Sequence, residues 1–258
     1  MKLSDLKASF DRDGYVAVRK FLPDGELNEL ISQIDRYIRE VAPGLTDEQA
    51  YYQDKSRPAT LKQLPRMDGD PFFAEYSHHA VWTELAASLL GESCTVDDPQ
   101  WFNKPPGTQH PTPAHQDNFY LCLQPPSVLT MWLALDVVDE ENGCLRYLPG
   151  SHKYGPRPHG VTKTVGFSQG ITDFGPPDRA NEVTLVAEPG DLICHHGEMV
   201  HRADANRSAT RSRRAFAMVA KGASCRRDEG AYRRYLASSV AQRQAAGLET
   251  GPIVPDIG

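Results

Sequence analysis

The residues of this chain best placed to do chemistry are His115 and Asp117, separated by Gln116, with His201 84 positions after Asp117 and Arg213 twelve positions further on. On an extended segment alternate side chains share a face, so His115 and Asp117 can grip one metal ion together. A histidine from a distant strand, His201, completes a face of two imidazoles and one carboxylate and leaves the opposite coordination positions open. That donor set suits non-haem Fe(II), whose open positions receive a co-substrate and O2. Arg213 begins the run Arg213-Arg214-Ala215-Phe216-Ala217-Met218 and offers a planar guanidinium fork for a carboxylate beside such a metal. Taken alone, His115 and Asp117 read more readily as a turn histidine and a surface aspartate. Adding His201, Arg213 and the strand texture around them turns the reading to a metal site.

Several elements must position these residues. An amphipathic helix over Ser4–Asp11 precedes a strand over Tyr15–Arg19. Pro23-Asp24 opens a long helix that Pro43-Gly44 stops, with Leu27, Leu30, Ile31, Ile34, Tyr37, Ile38 and Val41 as one apolar stripe. A second helix over His79–Leu90 buries Val81, Leu85, Ala86, Leu89 and Leu90, with Gly91 as its C-cap. After residue 92 short β-rich runs alternate with Pro/Gly turns: Ser93–Asn103, Ser127–Val138, Cys144–Leu148, Glu182–Ala187, Asp191–His195 and Arg213–Lys221. Strands in series with turn signals favour an antiparallel sandwich or barrel. Two long irregular segments, Lys104–His115 and Lys153–Arg179, interrupt them, and loops of that length in a domain are usually functional or disordered. A last helix is expected over Asp228–Ala246, bearing Tyr232, Tyr235, Leu236 and Val240. The fold class expected is mainly β with flanking helices. All of 1–258 forms one domain: a mostly helical 1–92, a β core over 93–222, and a C-terminal helix and tail over 223–258.

Composition narrows the function. With 28 Lys+Arg against 34 Asp+Glu the chain is acidic, which argues against a nucleic-acid partner. No apolar run approaches the ~20 residues of a membrane-spanning helix, and the N-terminus lacks the apolar core of a signal peptide. The five cysteines are widely spaced with no Cys-x-x-Cys, as expected of reduced thiols in a cytoplasmic protein.

Around the candidate ligands the chain resembles the phytanoyl-CoA dioxygenase family of Fe(II)/2-oxoglutarate-dependent oxygenases. The carrying residues are Asn103-Lys104-Pro105-Pro106-Gly107, His115-Gln116-Asp117, Met131-Trp132-Leu133-Ala134-Leu135, Glu141-Asn142-Gly143-Cys144-Leu145 and Leu148-Pro149-Gly150-Ser151-His152. Pro189-Gly190-Asp191 and the stretch from His201 through Arg213-Arg214-Ala215 complete the set, which spans about residues 10–222 in order. The resemblance implies a double-stranded β-helix (jelly-roll or cupin-like) core. It implies His115, Asp117 and His201 as iron ligands and Arg213 as partner of the distal 2-oxoglutarate carboxylate, with Lys62, Gln100 and Trp132 lining the co-substrate site. Because Asp117 is retained where halogenating relatives carry a small residue, it implies hydroxylation of a small molecule, using O2 and releasing succinate and CO2. Two departures are visible: Ala203 replaces a hydroxyl residue, and the His201–Arg213 stretch is one residue longer than the pattern, which leaves Arg211 and Arg214 as alternative carboxylate partners.

Other readings compete at particular residues. His195-His196 might suggest zinc but lacks a fourth partner at recognised spacing, so His195 is read as a strand residue and His196 as the entry to the turn before His201. His152 reads as a turn residue, and His110 and His159 as loop residues. Trp132 without the family pattern would be a core aromatic. Lys104–Pro113 and Lys153–Arg179 are the expected lids, the second carrying Tyr154, Arg157, His159, Lys163, Phe167 and Gln169 as candidate substrate selectors. No basic stripe for a CoA phosphate is visible, which favours a free small molecule over an acyl-CoA thioester. A non-catalytic jelly-roll binding module, or a cupin-like enzyme needing no co-substrate, are the rival classes.

Overall fold

The structure, a computed structural model, describes residues 3–108, 110–162 and 169–245. In chain order, helix α1 (Leu3–Asp13), strand β1 (Tyr15–Val18) and helix α2 (Asp24–Glu40) precede β2 (Tyr51–Tyr52), β3 (Leu61–Leu64), α3 (Pro71–Ser77) and α4 (Ala80–Leu90). Next come β4 (Cys94–Lys104), β5 (Thr112–His115), the single turn α5 (Asn118–Leu121), β6 (Leu123–Gln124), β7 (Val128–Ala134) and β8 (Leu145–Tyr147). The chain continues through β9 (His159–Val161), β10 (Gln169–Ile171), α6 (Pro176–Asn181), β11 (Val183–Leu185), β12 (Leu192–His196), β13 (His201–Ala203), β14 (Arg213–Gly222), β15 (Arg226–Arg227) and α7 (Glu229–Ala245).

Two antiparallel sheets carry the site. The major sheet has the order β1-β12-β7-β14-β4-β3-β2, and the minor sheet β11-β8-β13-β5. Side chains alternate across the major sheet. Its outer face presents Met131, Leu133, Cys194, Leu192, Phe216, Met218 and Trp101 to the helices, where Leu27, Leu30, Ile34 and Tyr37 of α2 and Trp82, Leu85, Ala86 and Leu89 of α4 cover them. Each fully buried Leu or Ile there contributes about 1.5–3 kcal/mol. Its inner face is built differently: Trp132, Ala134, Ile193, Ala215 and Ala217 pack with Tyr147, Leu145 and Ala203 of the minor sheet. Three alanines in that inner layer leave room between the sheets.

The structure differs from the sequence reading in four places. Val81 is exposed and Trp82 is buried in its stead, because α4 starts at Ala80 under a His79 cap and its apolar face runs Trp82, Leu85, Ala86 and Leu89. The N-terminal part does more than pack outside the β core: β1 forms one edge of the major sheet, and β3 and β2 the other. Edge strands need such cover to avoid unpaired backbone. Lys104–His115 is not irregular throughout, since Lys104 closes β4 and Thr112–His115 is β5. Lys153–Arg179 likewise contains the β9–β10 hairpin and most of α6.

The turn from β7 to β8 depends on Asn142 and Gly143. The fully buried Asn142 carboxamide donates to Val137 O at 2.7 Å and accepts from Asp139 N at 2.9 Å. Gly143 has φ +88°, and a Cβ there would lie 2.5 Å from the Asp204 carbonyl oxygen. Left-handed strain of about 1–2 kcal/mol would add to that clash. Gly143→Ala is therefore expected to lower Tm by about 5 °C or more. Gly25→Ala, where nothing lies within 4 Å, is expected to hold or raise Tm by up to about 3 °C. Differential scanning calorimetry of the two variants checks both.

Candidate metal centre

His115 and His201 come together because their strands pair: the two residues are direct partners across the β5–β13 ladder, and Tyr147 of β8 pairs His201 on its other side. Each imidazole is oriented in the same way. His115 Nδ1–H donates to Pro113 O at 2.8 Å and His201 Nδ1–H to Met199 O at 3.0 Å, each to the carbonyl two residues earlier. That fixes the tautomer and turns both Nε2 atoms inward, as metal-ligating histidines require.

Asp117 reaches the same point by a route the sequence reading did not anticipate. The strand ends at His115, and Asp117 has φ −61° and ψ −37° at the start of α5, so the pair does not lie on one extended segment. The Gln116 side chain holds this bend, with Nε2 donating to Gly155 O at 3.0 Å and Glu198 O at 2.8 Å and Oε1 accepting from Arg157 N at 2.7 Å. Asp117 Oδ2 then accepts two bonds from the major sheet, from Thr130 Oγ1 at 2.5 Å and His195 Nε2–H at 3.0 Å. His195 is oriented in turn by the Tyr147 hydroxyl, 2.9 Å from its Nδ1. Oδ1 is thereby left facing the two other donors, at 3.4 Å from His115 Nε2 and 3.6 Å from His201 Nε2.

Ligand atoms of the three side chains lie within 4.8 Å of one another, the one such group that could hold a metal ion among the described residues. An ion at about 2.0–2.2 Å from nitrogen and oxygen donors needs neighbouring donors roughly 3–3.5 Å apart, and the spacing found agrees. Burial on its own would raise the Asp117 carboxyl, but the neighbouring imidazoles of His201, His115 and His195 hold it well below the usual carboxylate range. Burial, reinforced by His115, pushes His201 well below its usual value. Asp117 is thus held ionised and His201 neutral, the protonation states a divalent cation needs.

Arg213 lies on the major sheet, buried, with its guanidinium carbon 5.5 Å above the Trp132 ring. Its Nε has no hydrogen-bond partner, and it takes part in none of the ion pairs among the described residues. Lys62 and the buried Lys104 line the same recess. Burial lowers Arg213 to about 10, so it remains charged at neutral pH. Its two rivals are engaged elsewhere: Arg211 pairs with Asp139 at 2.8 Å and with Glu141, and Arg214 with Asp136 at 2.8 Å. Gln100 does not join this recess. It lines the adjoining cavity beside Asp98 and Gln63, and Gln63, Tyr51 and Phe102 line both.

The remaining residues singled out in the sequence fall outside the donor set. His196 accepts from Glu198 N at 3.0 Å and so shapes the turn before His201. His159, read as a loop residue, opens β9 instead: it stacks on Phe119 at 4.0 Å and accepts from Gln116 N at 3.3 Å, and burial lowers it to about 4. Arg157 pairs with Asp173 and Asp178, Tyr154 points into solvent, and Gln169 is bonded to Ser238 at 2.5 Å. Lys163 and Phe167 lie outside the described residues.

The sequence profile described as Phytanoyl-CoA dioxygenase (PhyH) matches residues 10–215. The chain belongs to this family. Among its curated relatives, "Phytanoyl-CoA dioxygenase 1" of rice, Oryza sativa subsp. japonica, is 33% identical over 153 residues, 58% of this chain and 52% of that protein. The human peroxisomal phytanoyl-CoA dioxygenase is 26% identical over 213 residues, 77% of this chain and 62% of that one. The chain thus spans about half to three-fifths of the length of these relatives. Among solved structures, the epimerase SnoN in complex with Fe3+, alpha ketoglutarate and nogalamycin RO superposes with a TM-score of 0.69 at 25% identity, covering 86% of this chain and 84% of that one. The core is the jelly roll of 2-oxoglutarate-dependent oxygenases.

Sequence reasoning missed His195, Thr130 and Tyr147 as the supports of Asp117. Their roles depend on the register His195↔Thr130 between β12 and β7 and on the facing of the two sheets, neither of which a local motif encodes. Loss of such supports typically weakens metal binding about 10–100-fold. His195→Phe is accordingly expected to raise the Fe(II) dissociation constant by that factor in anaerobic equilibrium dialysis, while Asp117→Ala is expected to abolish binding.

Proposed function

We propose that the chain is an Fe(II)- and 2-oxoglutarate-dependent oxygenase that hydroxylates a C–H bond of a small molecule, consuming O2 and releasing succinate and CO2. The observation that carries this reading is the pairing of two unlike sites across one wall. On one side stand two imidazoles and a carboxylate with their lone pairs converging; on the other stands a buried guanidinium whose Nε lacks a partner. A metal-binding module without turnover has no use for the second.

Fe(II), when bound, supplies open coordination positions for 2-oxoglutarate and O2 and the oxidising chemistry. The chain supplies placement. His115, Asp117 and His201 would hold the ion. Arg213 pairs with the distal carboxylate of the co-substrate, helped by the charge of Lys62, and the Trp132 ring holds the guanidinium plane. An anion there would relieve the unsatisfied Nε, which is otherwise a desolvated donor. Asp117 occupies the carboxylate position, consistent with hydroxylation. The small inner-layer residues Ala215 and Ala217 leave space for co-substrate and substrate between the sheets.

The substrate occupies the cavity lined by His115, Asp117, Tyr120, Thr130 and Tyr235. The whole chain acts as one catalytic domain, with the N-terminal helices closing the outer face of the major sheet. All five cysteines are free thiols, which supports a reducing compartment, the cytoplasm. No helix among the described residues is long and apolar enough to cross a membrane.

Anaerobic addition of Fe(II) and 2-oxoglutarate is expected to produce a weak metal-to-ligand charge-transfer band in the visible. Titrating 2-oxoglutarate against that band should show a dissociation constant raised about 10–100-fold in Arg213→Ala, with Arg211→Ala and Arg214→Ala within about threefold of the native protein. Absence of the band at saturating 2-oxoglutarate overturns the reading. An unchanged constant in Arg213→Ala overturns the assignment of that residue.

A further inference from the structure

The cavity over the candidate metal centre encloses about 280 Å³ and extends from His115 and Asp117 to strand β4. Its far wall is shaped by a bulge. Ala217 pairs with Gln100 and Val219 with Asp97, so Asp98 and Pro99 stand opposite the single residue Met218. Such bulges re-aim a side chain and are frequent beside active sites. Asp98 adopts a left-handed backbone with φ +55°, and its carboxylate lines the cavity.

The hydrogen bonding of that carboxylate is half complete. Oδ2 accepts from Gln100 Nε2 at 2.9 Å, and Gln100 Oε1 accepts from Gln63 Nε2 at 3.4 Å. Oδ1 is buried without a hydrogen-bond partner. Lys221 on the adjacent strand is bound to Asp97 instead, at 3.0 Å. Burial raises the Asp98 acid to about 6 despite the opposing charges of Lys221 and Arg66 nearby, so it is mostly ionised at neutral pH, and it takes part in none of the ion pairs among the described residues. Charge is also segregated: among the described lining residues this cavity has Asp98 and Asp117 but no lysine or arginine, whereas Lys62, Lys104 and Arg213 gather in the adjoining recess, which shares Tyr51, Gln63 and Phe102 with it. An anionic substrate would meet an unpaired carboxylate here, and a cationic one would complete it.

We propose that Asp98 is the docking point for substrate and that the substrate is a small molecule bearing a protonated amine, whose N–H groups donate to Asp98 Oδ1. This assignment rests on the oxygenase reading above and deepens it by naming the substrate class. Held at β4, such a molecule presents its far end towards His115 and Asp117. Aspartate is also tolerated at this position because it accepts the left-handed backbone, a property it shares with asparagine. Asp98→Asn therefore keeps the bulge while removing the charge and turning one acceptor oxygen into an NH2 donor.

The test measures binding by calorimetry to the anaerobic Fe(II)-loaded protein with 2-oxoglutarate. The probes are primary amines (alkylamines, amino alcohols and amino sugars), their N-acetyl counterparts, and carboxylates of matching size. Amines are expected to bind the native protein at least about tenfold more tightly than their N-acetyl partners, and to lose about 10–100-fold in Asp98→Asn, the usual worth of a charge-assisted bond. Carboxylates are expected not to bind in the cavity. If no amine is preferred over its N-acetyl partner, or if Asp98→Asn keeps the preference, the assignment is overturned. The native comparison decides this even if the variant folds poorly. The charge-transfer band, recorded on the same samples, separates the two readings: amine preference without the band counts against the oxygenase, and the band without amine preference counts against Asp98.

Discussion

The two hydrogen bonds that Asp117 Oδ2 accepts from Thr130 and His195 tie the minor sheet to the major one. Asp117 follows the end of β5 in the minor sheet, and its two donors stand side by side on β7 and β12 of the major sheet. Were β7 or β12 to slip by one residue in its pairing, its donor would turn to the helix-covered face and Oδ2 would lose that bond. The helices α2 and α4, the edge strands and the buried outer face all serve to hold the register on which this contact depends. The same contact decides which carboxylate oxygen faces the histidines, so packing far from the centre reaches the donor set through one carboxylate.

The space between the sheets is divided by charge. Cations collect near the start of β14, where Lys104 pairs with Arg213 across the ladder, and burial, then the charge of Arg213, pushes the Lys104 ammonium well down. Carboxylates line the other cavity. His115 and Asp117 of the candidate centre line that second cavity, which adjoins the first through Tyr51, Gln63 and Phe102. Under the function proposed above, this difference in charge sorts a dianionic co-substrate from a differently charged substrate before any close contact forms.

The donor triad was legible in the sequence because each ligand lies in a recognisable local run. The β core was legible because short apolar runs between Pro/Gly turns have few other solutions. The geometry behind Asp117 was not: the expectation of one extended segment failed at Gln116, whose buried carboxamide bends the chain through partners at Gly155, Arg157 and Glu198. Support from His195 was hidden for a related reason, since it depends on which strands lie side by side. Asp98 left a fainter trace. Pro99 lies in what reads as a continuous strand, and proline inside a strand marks an edge or a bulge. Val81 was misplaced because Trp82, Leu85, Ala86 and Leu89 follow the i, i+3, i+4, i+7 spacing of one helix face and Val81 lies off it.

The Gln116 carboxamide has a practical consequence for redesign of this scaffold. The segment that leads into the β9–β10 hairpin looks like a module that could be exchanged to retune selectivity, as variable loops on rigid cores often are. Here it is fastened to the residue between two of the candidate metal ligands, through the carbonyl of Gly155 and the amide of Arg157. A graft that did not reproduce an acceptor and a donor at those two backbone positions would loosen the bend carrying Asp117. Altered selectivity and lost metal would then arrive together, indistinguishable by turnover alone. Libraries built on this fold are better opened from the β4 side, where the cavity wall can be changed without touching the bend.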